Sequence, residues 1–176
     1  MGFDGEHSKI VDTIETERLF LRPLQLGDLD DLFSLYGDPE LMKYITGQPR
    51  DYQETYTRLK AHITDHQAYG FGLCAAILKS SGEIIGRCGL EPVESSNILQ
   101  GDLAWMFKQE YWGQGLATEF GQAMIAYGFA HLPIQRIFAT ADHANQASIK
   151  VMKKLGMTFV RSDHRGVEYE LWRPGP

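Results

Sequence analysis

The sequence predicts an α+β domain built on a mixed, mostly antiparallel sheet that is flanked by helices. Short segments of alternating apolar residues indicate strands, and longer segments with apolar residues three and four positions apart indicate helices. Their order along the 176 residues is strand, helices, three strands, helix, strand, helix and two strands. Strands and helices therefore do not alternate regularly, which favours an α+β domain over a parallel α/β fold.

The first part of the chain predicts one strand followed by helices. In the segment 17–24, Leu19 and Leu21 alternate with Arg18 and Arg22, as in a strand with one buried face. Helices are predicted at 28–38 and 51–67, with a short helical turn at 39–45 and a loop at 46–50 between them. The expected apolar stripe of the second helix consists of Tyr52, Tyr56, Leu59 and Ile63.

The rest of the chain predicts most of the sheet. Strands are expected at 70–79, 83–93, 101–108 and 134–142, helices from the glycines after 112 to about 130 and at 145–156, and a final hairpin at 157–163 and 166–173. In the strand 101–108, one face carries Leu103, Trp105 and Phe107, and the other carries Asp102, Ala104 and Met106.

Composition and charge restrict the class of protein. We expect a flexible N-terminal arm at 1–13 and one domain at 14–176, since 43% of the residues are hydrophobic. A net charge of −6 argues against a general nucleic-acid binder, and no apolar run is long enough for a membrane span. Cys74 and Cys88 lie in apolar surroundings and are interpreted as reduced core residues of a cytoplasmic protein. The spacing of the six histidines predicts no metal site.

Gly113 and Gly115, in the stretch EYWGQGLATEF, point to a backbone requirement at the start of a helix. The first amides of a helix have no internal partners, so a glycine turn at that place can hold a phosphate, and Thr118 adds a hydroxyl. The stretch lacks the lysine of a P-loop and the third glycine of a dinucleotide-binding turn. A glycine turn without any ligand remains an alternative at this point.

The helix at 145–156 places a hydroxyl on its inner face. Asn145 is a good N-cap residue, and a capping role alone would explain it. The face predicted to point inwards consists of Ser148, Val151, Met152 and Leu155. Ser148 thus either serves a function in the interior or bonds to nearby backbone.

These two motifs, EYWGQGLATE and NQASIKVMKKLGM, resemble those of the GNAT superfamily of acetyl-CoA-dependent N-acetyltransferases, in the right order and about thirty residues apart. The opening segment IETERLFLRPLQLGDLDDLFSLYGDPELMKYI and the segment GDLAWMFKQEYWGQG resemble the branch that contains the ribosomal-protein alanine N-acetyltransferases. The resemblance extends from about Ile14 to Trp172. Trp112, Gly115 and Ala117 occupy the positions of the family's pyrophosphate-binding pattern, in which Trp112 replaces the usual Gln or Arg.

The resemblance implies a GNAT-like fold with a splayed pair of parallel strands, here 101–108 and 134–142, and acetyl-CoA as cosubstrate without a metal. It implies that Asn145 contacts the pantetheine arm or nearby backbone and that Ser148 protonates the leaving thiolate. The residues expected to bind the cofactor are Phe107, Trp112, Gly113, Gln114, Gly115, Leu116, Ala117, Thr118, Asn145 and Ser148.

Direct transfer to a primary amine also needs a group that removes a proton from the amine. Asp102 and Glu91 are the favoured candidates, because the strands that carry them adjoin the expected acetyl site. Desolvation on an apolar face is expected to raise the pKa of Asp102. Glu168 and Glu170 are expected to face solvent. Each of these four carboxylates has a structural role as its alternative.

The acceptor is left open by the sequence. Tyr44, Trp105 and Tyr111 are candidates for an acceptor pocket, although aromatic residues are more often part of a core. Both a small molecule and a protein N-terminus fit as the amine, with the protein a monomer or homodimer that binds neither nucleic acid nor membrane. A non-catalytic coenzyme A-binding module is the main alternative, and a nucleotide- or phosphate-binding protein is a further one.

Overall fold

One mixed sheet organises residues 13–95 and 98–175, which are the residues described in the computed structural model. Its strands are β1 (Ile14–Glu15), β2 (Leu19–Pro23), β3 (Leu73–Leu78), β4 (Ile84–Ser95), β5 (Ile98–Phe107), β6 (Arg136–Ala141), β7 (Thr158–Asp163) and β8 (Gly166–Trp172). The helices are α1 (Leu29–Tyr36), α2 (Pro39–Met42), α3 (Tyr52–Tyr69), α4 (Leu116–His131) and α5 (Gln146–Lys154). The flexible arm expected at 1–13 lies, apart from Thr13, outside the described residues.

The strand order confirms the predicted sheet. The order is β1-β2-β3-β4-β5-β6-β8-β7, and within the described residues all neighbours are antiparallel except β5 and β6. The parallel pair is joined only from Gln100 opposite Arg136 to Asp102 opposite Phe138. Beyond that point β5 continues along β4 to Phe107, and β6 continues along β8 to Ala141. The splayed pair of parallel strands is therefore confirmed.

Helices cover the two faces of the sheet and enclose two cores. One core is formed with α4 and α5 and contains Leu103 and Phe107, against which Trp105 packs. The other is formed with α1 and α3 and contains Met106, against which Ala104 packs. The predicted division of the β5 residues between two faces is thus confirmed, and both faces are covered.

The two cysteines are buried in the sheet, as predicted. Cys74 and Cys88 face each other across β3 and β4, and both are free thiols. Burial raises the pKa of Cys74 to about 12 and that of Cys88 well above its ordinary value. Both therefore stay protonated and behave as small apolar residues.

A capping side chain and glycines with positive φ angles account for the ends of α4 and α5 next to the opening between β5 and β6. Asn145 caps α5 by accepting a hydrogen bond from the Ser148 amide at 3.1 Å. Gly156 follows α5 with a φ of 76°, as expected for a helix C-terminus. At the other helix, α4 starts directly after Gly115, which has a φ of 83°.

The inward faces of two helices differ from the sequence prediction. In α3 the buried residues are Thr55, Leu59 and His62, whereas Tyr52 is 48% exposed and donates a hydrogen bond to Asp30. The sequence favoured the aromatic stripe because it was more hydrophobic than a stripe containing threonine and histidine. The orientation of α3 is instead set by polar partners on the sheet, which are described below.

In α5 the residues buried in the core are Ile149 and Met152. Ser148 and Val151 lie one step around the helix and are half-buried, because they border the opening between β5 and β6. The predicted inner face was therefore shifted by part of a turn. Among the described residues, no helix combines the length and the apolar character needed to cross a membrane.

Candidate functional site

The opening between β5 and β6 forms a cavity of about 550 Å³. One end is the turn before α4, and the other is a group of charged side chains between the sheet and α1 to α3. The cavity is lined by Asp102 and Glu91 and by nine residues of the expected cofactor set: Phe107, Trp112, Gly113, Gly115, Leu116, Ala117, Thr118, Asn145 and Ser148. Residues from four separate segments of the sequence thus meet around one space.

The turn before α4 has the backbone that its two glycines suggested. Gly113 and Gly115 have φ angles of 73° and 83°, a region that side chains with a Cβ rarely adopt. A Cβ on Gly113 would meet no atom within 4 Å, and one on Gly115 would meet only Arg18 Nη2 at 3.6 Å. The space in front of the turn is therefore open, and the free amides of the first turn of α4 adjoin it.

Arg18 holds this turn from the outside. Its Nη1 donates to the Gln114 carbonyl oxygen at 2.9 Å, and its Nε donates to Glu119 Oε2 at 2.7 Å. Glu119 Oε1 also accepts from the Thr16 hydroxyl at 2.5 Å. The strand β2 and its approach thereby fix the position of the glycine turn relative to the sheet.

Trp112 and Gln114 take different positions at the turn. The Trp112 indole donates to the Phe107 carbonyl oxygen at 2.7 Å while its ring remains 53% exposed at the cavity. The Gln114 side chain donates to the Glu110 carbonyl oxygen at 2.9 Å and does not line the cavity. Any contact between Gln114 and a bound molecule must therefore come through its backbone or after a rearrangement.

The edge of β5 along the split offers backbone groups to the cavity. Lys108 donates its amide to Ile85 on β4 at 2.8 Å, so the residues of even number on β5 direct their backbone groups towards β4. By alternation, Leu103, Trp105 and Phe107 direct theirs towards the split. A molecule lying in the split can therefore pair with this edge as a strand would.

Asp102 and Glu91 lie opposite each other on β5 and β4, on the face that α1 and α3 cover. Burial and the neighbouring Glu91 carboxylate raise the pKa of Asp102 to about 7, with Arg87 opposing the rise. The direction predicted from the sequence is confirmed. Asp102 is thus a carboxyl group at the cavity that exchanges its proton near neutral pH.

Asp102 and Glu91 belong to a polar group at the inner end of the cavity. The sequence analysis did not identify its three other members, which are Arg87, His62 and Tyr36. Arg87 lies on β4 two positions before Gly89 and Tyr36 ends α1, with the arginine Cζ 5.6 Å from the centre of the tyrosine ring. His62 Nδ1 is 3.6 Å from Glu91 Oε1, and its Nε2 is 3.1 Å from the Tyr36 hydroxyl. The sequence feature that could have indicated Arg87 is the presence of an arginine inside the apolar stretch EIIGRCGL, because arginine is seldom buried without a reason.

His62 stays neutral in this group. Burial, together with Arg87, Arg58 and Arg50, lowers its pKa to about 3. The carboxylate beside Nδ1 favours the tautomer that is protonated there, so the Tyr36 hydroxyl donates to Nε2. These contacts explain why α3 turns His62 inwards instead of the predicted aromatic stripe.

Glu168 does not face solvent as the sequence suggested. It is only 7% exposed, because Arg136 Nη2 at 2.5 Å and Arg161 Nη2 at 2.8 Å pair with its two carboxylate oxygens. Arg136 also pairs with Glu170 at 2.5 Å. Alternation along β8 was misleading because the basic side chains of neighbouring strands cover this face. Both glutamates therefore brace β8 against its neighbours.

The candidate aromatic residues Tyr44, Trp105 and Tyr111 all border the cavity. Tyr111 donates its hydroxyl to Glu83 at 3.1 Å, which fixes its ring at the mouth. Within the described ranges, no group of three or more His, Cys, Asp or Glu residues has the arrangement of a metal site.

Comparison with known proteins places these features in a family. A family model described as an acetyltransferase (GNAT) domain matches residues 18–158. The chain is 33% identical over 152 residues to the uncharacterized N-acetyltransferase p20 of Bacillus licheniformis, covering 82% of each chain. It is 32% identical over 148 residues to the uncharacterized protein YkkB of Bacillus subtilis (strain 168), covering 84% of this chain and 86% of the relative.

The solved structures agree at the level of the fold. The structure of RimL, a ribosomal alpha-N-protein acetyltransferase in complex with coenzyme A, matches with a TM-score of 0.78. That match covers 91% of this chain and 97% of the RimL chain at 18% sequence identity, so it is a likeness of fold alone.

The raised pKa of Asp102 predicts a specific dependence of stability on pH. Between its ordinary pKa of 3.8 and about 7, the folded protein binds more protons than the unfolded chain. The free energy of unfolding therefore falls as pH rises through that window. Asp102→Asn should gain stability relative to the wild type from about pH 4 to about pH 7, measured by urea unfolding, with a carboxyl NMR signal titrating near pH 7 lost in the variant.

Asp163→Asn is the control for this measurement. The backbone amide of Arg165, with the nearby arginine charges, lowers the pKa of Asp163, so that its contribution is lost as pH falls. Parallel stability curves for the wild type and Asp102→Asn would contradict the assignment of the raised pKa.

Proposed function

The chain belongs to the GNAT acetyltransferase family, and we propose that it is an N-acetyltransferase that moves an acetyl group from acetyl-CoA directly to a primary amine. The acceptor is a small molecule or a protein N-terminus. One observation carries the proposal: a single cavity connects an open glycine turn at a helix N-terminus with a carboxyl group that titrates near pH 7.

The residues around the turn suit the phosphates of coenzyme A. We assign the pyrophosphate to the amides of the first turn of α4, where the helix dipole favours an anion and the glycines leave room for it. The remaining contacts are assigned to the ten cofactor residues predicted from the sequence, Gln114 through its backbone. Lys150 and Lys154 of α5 also line the cavity and add positive charge near the same turn.

The open edge of β5 suits the pantetheine arm and the thioester. The backbone groups of Leu103 and Trp105 offer the pairing that β6 does not make beyond Asp102, together with the amide of Phe107, whose carbonyl oxygen accepts from the Trp112 indole. A backbone N–H on this edge can also donate a hydrogen bond to the thioester carbonyl oxygen, on which negative charge develops during acyl transfer. Acetyl-CoA supplies an activated acetyl group, and the residues of the cavity bind it and move the protons.

Asp102 and Glu91 are assigned to proton removal, and Ser148 to proton delivery. An amine attacks only in its neutral form, and a carboxyl with a pKa of about 7 can take its proton directly or through a water. Ser148 borders the cavity from α5, where its hydroxyl can protonate the leaving thiolate.

A non-catalytic coenzyme A-binding module is the alternative function. Such a module needs the turn and the open strand edge, but it has no need for a buried carboxyl with a raised pKa. Burying that group costs stability, and such costs are common at catalytic sites. The position of Asp102 in the cavity therefore favours the enzyme.

Gly115→Glu should largely remove acetyl-CoA binding while the protein remains folded. The new side chain would enter the space in front of the turn, and its charge would repel the phosphates. Gly156→Glu is a matched control, because Gly156 has a similar φ of 76° and open space around it but does not line the cavity. Titration calorimetry that finds equal affinity in both folded variants would contradict the assignment of the turn.

Ser148→Ala should lower kcat more than it weakens acetyl-CoA binding. A general acid typically contributes ~10²–10⁴-fold to the rate, although a water can replace part of this. The measurement is kcat by thiol release together with the Kd of acetyl-CoA by calorimetry. Ser34→Ala, an exposed helical serine away from the cavity, is the control. An unchanged kcat would remove Ser148 from the mechanism.

Asp102→Asn should lower kcat/KM and remove the limb that rises with pH near 7. Since the base acts in its deprotonated form, the wild-type kcat/KM should increase as pH passes the Asp102 pKa of about 7. Profiles for Asp102→Asn and Glu91→Gln show which carboxylate is responsible. If both variants keep the wild-type rate and profile, neither is the base and the acceptor must lose its proton elsewhere.

A further inference from the structure

Arg87 is a buried cation with two nitrogens that lack hydrogen-bond partners. It is 7% exposed and lines the cavity. Its Nε and Nη1 atoms are, among the described residues, the buried side-chain nitrogen and oxygen atoms without a partner. Buried donors of a charged group are almost always paired in native proteins, because leaving them unpaired is costly. Arg87 therefore calls for an acceptor that the folded chain itself does not provide.

The neighbours of Arg87 leave its Nε and Nη1 without an acceptor. Tyr36 interacts with the guanidinium through its ring and its hydroxyl, and the Glu91 carboxylate acts on Arg87 through its charge but is also 3.9 Å from Arg58. His62 is neutral, and burial disfavours the charged form of Asp102. Burial would lower the pKa of Arg87, but Tyr36 and Glu91 outweigh this effect, so the guanidinium keeps its charge.

Arg87 is the arginine that lines the cavity among the described residues. The carboxyls Glu91 and Asp102 line it as well, whereas Arg50 and Arg58, which also lower the pKa of His62, do not. Glu40 also borders the cavity, but its side chain is 63% exposed and lies 4.0 Å from Lys43. Its charge is therefore screened by solvent, whereas that of Arg87 is not.

We propose that Arg87 binds a carboxylate of the acceptor, so that the substrate is a small amino acid in the broad sense, a primary amine that also bears a carboxylate. This inference rests on the proposed acetyl transfer and adds the substrate class to it. A carboxylate oxygen is a strong acceptor for a guanidinium N–H, because both groups are charged. Such a ligand would give Arg87 the acceptor that the folded chain does not provide.

The placement of Arg87 agrees with an amine presented to Asp102. Arg87 and Glu91 point to the same face of β4, opposite Met106 and Asp102 of β5. The row from Met106 to Asp102 spans roughly 13 Å at about 3.3 Å per residue, and the long arginine side chain covers part of it. A molecule of a few carbon atoms can therefore contact Arg87 at one end and place its amine near Asp102 at the other.

The proposed acetyl transfer forms one covalent bond and breaks one. A bond forms between the amine nitrogen and the acetyl carbon, and the bond between that carbon and sulfur breaks. One proton leaves the amine towards Asp102, and one is delivered to the thiolate from Ser148. The proton on Asp102 then returns to Ser148 through solvent, so that both groups regain their starting forms. Arg87 takes no part in these steps and acts as a specificity-determining residue.

Other acceptors fit Arg87 less well. A polyamine would bring a second ammonium group towards the guanidinium, where like charges repel. The carbonyl group of a peptide N-terminus could accept a hydrogen bond from Arg87, but a neutral acceptor forms a weaker bond with a guanidinium than a carboxylate does. Both are therefore outcomes that the experiment has to separate from the proposal.

The test compares matched acceptors with the wild-type protein and acetyl-CoA, with thiol release as the readout. The probes are glycine, β-alanine, 4-aminobutyrate and L-amino acids, each beside its amide and its decarboxylated amine, with spermidine as the polyamine. We expect at least ~10²-fold higher kcat/KM for the best carboxylate-bearing probe than for its decarboxylated amine, because a buried site built to bind a group rejects an analogue that lacks it. Arg87→Met should abolish this ratio, and Arg87→Lys should restore part of it.

Arg50→Met is the matched control, since Arg50 also contacts the Tyr36 ring, at 5.9 Å, but does not line the cavity. It should keep the wild-type ratio. Arg87→Met that keeps the full ratio would overturn the proposal, and if that variant does not fold, the wild-type panel decides alone. Equal use of amides and carboxylates would point to a peptide N-terminus, and preference for decarboxylated amines or spermidine would also overturn the inference.

Failure of the inference can be distinguished from failure of the proposed function. If amines without a carboxylate are acetylated and no carboxylate-bearing probe is, the acetyltransferase stands and the role of Arg87 is wrong. If acetyl-CoA neither binds in calorimetry nor releases its thiol with any probe, the proposed function itself is wrong.

Discussion

The early end of pairing between β5 and β6 is the constraint on which the rest of the site depends. The two strands are joined only as far as Asp102 and Phe138, although each stays paired on its other side to its last residues. Backbone groups that would be satisfied in a continuous sheet therefore face a cavity. A sheet that closed normally at this point would leave no room between the glycine turn and the polar group.

Two sets of ion pairs hold the borders of this opening. On one side, Arg18 ties the backbone of the glycine turn to Glu119 of α4. On the other, Arg136 on β6 pairs with Glu168 and Glu170 on β8 and donates to Gln100 on β5, which fixes β6 where its pairing with β5 begins. Because these arginines have two or more partners each, their contacts restrict geometry more than a single exposed ion pair would.

The inner end of the cavity departs from what stability alone would favour. It gathers a carboxyl with a raised pKa, a neutral histidine with a lowered pKa and an arginine without full hydrogen bonding. Apolar residues of similar size would cost less to bury. Such departures from local consistency are expected where a protein binds or transforms a ligand. The polar group is for that reason the part of the fold most directly connected with function.

Features set by neighbouring residues could be determined from the sequence alone. The order of the elements, the Asn145 cap, the positive φ angles of the glycine turn and the two faces of β5 all follow from spacing and from backbone conformation within a few residues. The raised pKa of Asp102 could be predicted in direction because a carboxyl between apolar neighbours on a covered strand loses water. Only the tertiary structure could show that Arg87, His62 and Tyr36 meet, that α3 turns a histidine inwards and that Glu168 is buried by arginines. These outcomes depend on contacts between residues that are 25 or more positions apart in most cases, where the gain from pairing polar groups outweighs the local hydrophobic pattern.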